Sequence, residues 1–141
     1  MIRFAAFCLI AMLAAAPAVA CSCACLKPER GAAARMIKDA DYVVRGEVLS
    51  VAGPGPADIN RELDIFRLRP TLALKGDPAT EIEIISPAES SACGVGWEAG
   101  DIIDAIVSRN PDGRLHVNSC SQLCARVNGV FKRLDKLAQK K

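Results

Sequence analysis

Apolar positions along this chain keep two rhythms, and the change from one to the other marks out its elements. Between Pro28 and Ala40, the residues Ala33, Met36, Ile37 and Ala40 recur at helical spacing, and Pro28 suits a first turn. Tyr42 to Val51 is rich in β-formers (Tyr42, Val43, Val44, Val48, Val51) and predicts a strand, which Gly53-Pro54-Gly55-Pro56 breaks. From Ile65 to Leu74 the pattern alternates, with Ile65, Arg67 and Arg69 against Phe66 and Leu68. Pro70 within it marks an edge strand or a bulge. After a turn at Lys75-Gly76-Asp77-Pro78, Glu81-Ile82-Glu83-Ile84 alternates strictly, which predicts one wet face and one dry face. Gly94, Gly96 and Gly100 mark a loop around Trp97. Ile102 to Ser108 predicts a fourth strand, Asn110-Pro111-Asp112-Gly113 a tight turn and Leu115 to Asn118 a fifth strand. A final helix carries Leu123, Val127, Val130, Phe131, Leu134 and Leu137 on one face.

Five short strands with helices at the two ends predict a mainly β fold, a small closed or partly open barrel of which the five-stranded OB-fold is one form. No internal repeat, low-complexity tract or second domain is visible.

The first 20 residues follow neither rhythm. Arg3 is their only charge, an apolar run extends from Phe4 to Ala16, and Pro17-Ala18-Val19-Ala20 places small residues ahead of Cys21. A basic start, an apolar run and an A-x-A site predict a cleaved signal peptide over residues 1–20 and an exported domain over residues 21–141. The competing membrane-spanning helix needs about 20 apolar residues, and this stretch is shorter and ends at Pro17. Ala18-Val19-Ala20-Cys21 also partly resembles a lipoprotein cleavage box, with Ala18 where Leu is usual, so lipid attachment at Cys21 is a rival fate. The expected location is secreted or periplasmic.

Export changes the meaning of the cysteines. Cys8 leaves with the leader, and Cys21, Cys23, Cys25, Cys93, Cys120 and Cys124 remain. An even set in an exported chain predicts disulfides. Cys21 and Cys23 are too close to bridge easily, so each cysteine of the N-terminal cluster is expected to reach a distal one. A metal held by Cys-x-Cys-x-Cys is the competing reading, since thiolates bind zinc and copper well. The formal net charge of +2 gives no concentrated basic face for nucleic acid. Lys132, Arg133, Lys136, Lys140 and Lys141 read as a solvated helix face and tail.

Catalytic chemistry is thinly represented. His116 is the one histidine and has no Ser/His/Asp companions. Gly94, Gly96 and Gly100 lack the spacing and the lysine of a phosphate loop. Trp97 has no aromatic neighbours in sequence with which to build a stacking platform. The chain is therefore not expected to be an enzyme or to need a cofactor. Its unusual property is a terminus anchored at its first and third residues after cleavage, where a chain end is ordinarily mobile.

These residues resemble a known family, the N-terminal netrin-like OB-fold domain of the tissue inhibitors of metalloproteinases. Cys21-Ser22-Cys23 is similar to that family's mature start. Asp41-Tyr42-Val43-Val44-Arg45-Gly46-Glu47-Val48 is similar to its first barrel strand, and Leu74-Lys75-Gly76 to its second-strand turn. Ile82-Glu83-Ile84, Ser91-Ala92-Cys93-Gly94-Val95, Ala99-Gly100, Asp112-Gly113 and His116-Val117-Asn118-Ser119-Cys120 follow in the family's order. The resemblance implies bridges Cys21–Cys93 and Cys23–Cys120. The family's third N-terminal cysteine falls where this chain has Lys38, and Cys25 is taken to replace it, paired with Cys124. A helix ends the chain where the family carries a cysteine-rich lobe.

The resemblance also implies a mechanism. The free α-amine and carbonyl of Cys21 would chelate the catalytic zinc of a target metalloprotease. Ser22 would enter the adjoining specificity pocket, and Cys23, Ser91, Ala92 and Cys93 would complete an inhibitory ridge. The expected partner is a zinc metalloprotease bound by a monomer, with membrane contact only if Cys21 is lipidated. The alternative is a netrin-like binding module without inhibitory activity.

Overall fold

The computed structural model describes residues 21–25, 28–53, 63–77, 80–88 and 92–140. The predicted signal peptide, Gly53-Pro54-Gly55-Pro56 beyond Gly53, and Ser91 lie outside the described residues.

Five strands close into a barrel: β1 (Tyr42–Ala52), β2 (Leu63–Lys75), β3 (Ile82–Pro87), β4 (Ile102–Arg109) and β5 (Leu115–His116). Their order is β1-β2-β3-β5-β4, and β4 returns to β1 to complete the ring. Every pairing is antiparallel except β3 with β5, where Ile85 lies opposite His116. This is an OB-type barrel, with helix α1 (Ala32–Asp39) ahead of it and helices α2 (Ser119–Val127) and α3 (Val130–Ala138) after it.

Two cores explain the apolar pattern. Val44, Val48, Phe66, Leu68, Ile82, Ile84, Ala105, Val107 and Val117 fill the barrel. A second layer lies between the barrel wall and the helices, where Val43, Leu72 and Ile106 meet Ala33, Ala125, Val130, Phe131 and Leu134. β1 and β4 are thus buried on both faces where the helices cover them, which is why Val43-Val44 and Ala105-Ile106-Val107 are unbroken apolar runs. The wet and dry alternation of β3 holds from Ile82 to Ile84 and stops at Ile85, which is also buried.

Pro70 lies in an interior strand at a point where that strand is paired on one side only. The β2–β3 pairing ends at Leu68 and Ile82, so Pro70 faces β1 alone, opposite Gly46. The register shifts between Arg45 and Gly46, which gives the bulge that a residue without N–H requires. A Cβ at Gly46 would stand 2.5 Å from the Arg69 carbonyl oxygen, so the close approach of β1 to β2 needs glycine there.

Three expectations are corrected. Helix α1 begins at Ala32 after Gly31, so Pro28 precedes it by more than a turn. β5 keeps only two residues, because Asn118 leaves the sheet to cap α2: its Oδ1 accepts from the Ser121 N–H at 2.8 Å. The final helix is two helices. Gly129, at φ 77°, ends the first and starts the second, and Leu123 and Val127 of the first are exposed to solvent.

Candidate functional site

Residues 21–25 form an extended strip along one side of the barrel, read from a period of two in their burial. Cys21, Cys23 and Cys25 face the protein, whereas Ser22 and Ala24 are exposed. Disulfides join Cys21 to Cys93, Cys23 to Cys120 and Cys25 to Cys124, with Cα separations of 5.3, 5.0 and 5.2 Å. Among the described residues, no backbone hydrogen bond ties this strip to the barrel. Its attachment is covalent, supplemented by the Ser119 hydroxyl 3.9 Å from Cys21 Sγ.

The anchors themselves belong to hydrogen-bonded backbone. Cys120 lies in the first turn of α2, whose N-terminus carries the Asn118–Ser121 capping box. The Ser119 N–H donates to the Cys93 carbonyl at 2.8 Å, which joins the Cys93 loop to that helix start. Cys93 has φ 69°, the only non-glycine residue in the left-handed region among those described. Val95 N–H donates to the Oγ of Ser86, a buried side chain, at 3.3 Å, fixing the loop from its other side.

The two leading bridges touch. Cys120 Sγ lies 3.6 Å from Cys21 Sγ and 3.9 Å from Cys93 Sγ. In the bridged form these sulfurs are bonded in pairs and are not free thiolate ligands, so the metal reading of Cys-x-Cys-x-Cys does not describe this state. Of the expected ridge, Cys21, Ser22, Cys23, Ala92 and Cys93 come together, with Ser22 and Ala92 exposed. Sequence reading named Asn118 and Ser119 within the motif His116-Val117-Asn118-Ser119-Cys120 but gave them no role, and placed Asn118 in a strand where it caps a helix. An Asn three residues before Ser121 was the available signal.

Two other residues take definite places. His116 is half-buried, with Nδ1 2.9 Å from the Ser108 carbonyl, so Nδ1 carries the proton and donates. Trp97 does have an aromatic partner in space: Phe66 meets it edge-on, with ring centroids 5.4 Å apart, and the pair belongs to the barrel interior. This corrects the sequence-based reading of a tryptophan without aromatic neighbours, because the neighbour, Phe66, comes from β2 and meets Trp97 in the loop between β3 and β4.

Away from the strip, Arg45 of β1 donates to both carboxylate oxygens of Asp104 on β4, at 2.7 and 2.8 Å, and to Asp135 of α3 at 2.7 Å. These bonds push the guanidinium well above its already high pKa, and they pin α3 to the barrel wall.

Three disulfides fit an oxidising, extracytoplasmic environment. No helix among the described residues is long and apolar enough to cross a membrane. No protein-family model matches the chain, and no curated protein matches it.

Proposed function

We propose that this protein is an exported, non-enzymatic inhibitor of zinc metalloendopeptidases, of the netrin-like class that its sequence resembles. Cleavage after Ala20 frees the α-amine of Cys21 and releases the domain to the periplasm or the cell exterior. The observation that carries the reading is the doubly stapled strip, with Cys21 and Cys23 each bridged to fixed backbone and Ser22 exposed between them.

The chemistry follows from that rigidity. Catalytic zinc keeps one coordination position for water. An amine and carbonyl on one clamped residue can displace that water with little loss of conformational freedom. An α-amine has a pKa of about 8 and loses its proton readily beside a dication. Ser22 then enters the pocket next to the metal, while Ala92, Cys93 and the neighbouring Ser91 form the second edge of the contact.

A panel of zinc metalloproteases, assayed with native protein and with a form carrying one extra Ala before Cys21, tests this. The extension leaves the barrel and bridges in place and denies the metal its amine. Inhibition should weaken roughly a hundredfold or more, at about 1.4 kcal/mol per factor of ten. Equal inhibition by both forms removes Cys21 as the zinc ligand. The Ala18-Val19-Ala20-Cys21 sequence favours a second reading, a lipid-anchored module with an acylated Cys21. Mass spectrometry of the mature N-terminus separates the two, because an acylated amine cannot chelate.

A further inference from the structure

The contact between the two leading bridges has a second chemistry, independent of the inhibitor reading. We propose that, once a dithiol reductant has opened both bridges, Cys21, Cys23, Cys93 and Cys120 form a thiolate site for one zinc-class dication.

The distances are those of such a cage. A zinc–thiolate bond of about 2.3 Å puts neighbouring sulfurs of a tetrahedron about 3.8 Å apart. Cys120 Sγ already stands 3.6 and 3.9 Å from Cys21 Sγ and Cys93 Sγ, which belong to the other bridge. The three sulfurs lie within 4.8 Å of one another, and Cys23 is bonded to Cys120 as the fourth. Opening each bridge lets its two sulfurs separate to the same spacing by side-chain rotation.

The backbone supports this division of labour. Cys93 and Cys120 have backbone supports besides their disulfides, the Ser119-to-Cys93 hydrogen bond and the Asn118 cap. Gln122 fixes α2 further, since its side chain bonds both the N–H and the carbonyl of Ile106, at 3.1 and 2.8 Å. Neither core contains a cysteine. The strip bearing Cys21 and Cys23 has no backbone bond to the barrel among the described residues, so reduction frees it as an arm that carries two ligands to two fixed ones.

The reaction balances. Each bridge accepts two electrons and two protons from the dithiol, which leaves as its own disulfide. The four thiols then give up four protons to solvent as the dication binds. Cys25 and Cys124 take no part, because they lie outside the sulfur cluster.

Cobalt(II) titration of reduced and oxidised protein under argon reads the site. The reduced, folded protein should take up one equivalent and show the visible absorption of tetrahedral cobalt thiolate, which zinc then bleaches. The oxidised protein should show none. Alkylation of the zinc-loaded reduced protein, followed by peptide mapping, needs no variant. Cys21, Cys23, Cys93 and Cys120 should be protected, with Cys25 and Cys124 labelled, as well as Cys8 where residues 1–20 are retained. Circular dichroism checks that the barrel persists. A reduced protein without thiolate absorption, or protection of a different set of cysteines, overturns the proposal. So does an unchanged spectrum in the Cys93→Ser/Cys120→Ser variant.

Discussion

The backbone N–H of Ser119 meets the Cys93 carbonyl at 2.8 Å, so the two loci that receive the first two disulfides are joined to each other by a backbone bond as well as through the bridged strip. The strip from Cys21 to Cys25 is fastened by three disulfides onto a platform that has hydrogen bonds of its own.

Removing one staple should therefore lower stability without dissolving the fold. The Cys25–Cys124 bridge spans 99 residues of sequence. A loop of that size corresponds to more than 4 kcal/mol in the chain-entropy account, and the other two bridges already restrain most of the same loop. The Cys25→Ala/Cys124→Ala variant should lose about 2–4 kcal/mol in urea unfolding, with near-native circular dichroism. A molten spectrum would show that the platform depends on the bridge.

The two apolar faces of the C-terminal region should respond very differently. Leu134 is fully buried in the layer between helices and barrel, so Leu134→Ala should cost about 2–5 kcal/mol. Leu123 and Val127 are 46% and 48% exposed, and Leu123→Ser or Val127→Ser should change stability by less than about 0.5 kcal/mol. Thermal unfolding of the three variants checks the contrast.

Two glycines are required for different reasons, and asparagine tells them apart. Gly129 sits at φ 77° with open space around its Cα, so Gly129→Ala should cost about 1–2 kcal/mol from backbone strain alone. Asparagine tolerates that conformation, and Gly129→Asn should recover most of the loss. At Gly46 the obstacle is the β2 backbone itself, so Gly46→Ala and Gly46→Asn should both be strongly destabilising in chemical denaturation.

The hairpin between β4 and β5 should loosen in acid. The Asp112 carboxylate accepts from the Arg114 backbone N–H at 3.0 Å and from Arg114 Nε at 2.9 Å, and these bonds hold it below the usual carboxylate range. A depressed folded pKa means that the turn is fully stabilised above the ordinary carboxylate pKa. That contribution fades as pH falls through the lowered value. The Arg114 amide resonance should titrate over that acid range, and Asp112→Asn should abolish the transition.

The strands and the cysteine grouping were legible in the sequence because each leaves a local mark: alternation in β2 and β3, a β-rich run in β1, three cysteines within Cys21 to Cys25. What misled was periodicity that runs through a break. Leu123, Val127, Val130 and Leu134 keep helical spacing across Asn128-Gly129, although the axis changes there. On α2 the expected polarity is reversed, because Gln122 and the bridged Cys124 face the fold while Leu123 and Val127 face water. The cause is non-local. β5 is too short to pair with β4 at Ile106, and the Gln122 amide takes the place of the missing strand. The candidate strip was legible as an anchored terminus, whereas the contact between its bridges depends on where α2 begins.

Because the strip from Cys21 to Cys25 is held by its bridges and not by a hydrogen-bond ladder among the described residues, the side chain of Ser22 lies outside the bonds that hold the strip. Ser22 is a display position, and its exchange should leave the barrel unchanged. Mutational drift can thus explore new surface chemistries at this spot without endangering the architecture beneath, as long as the three cysteines persist.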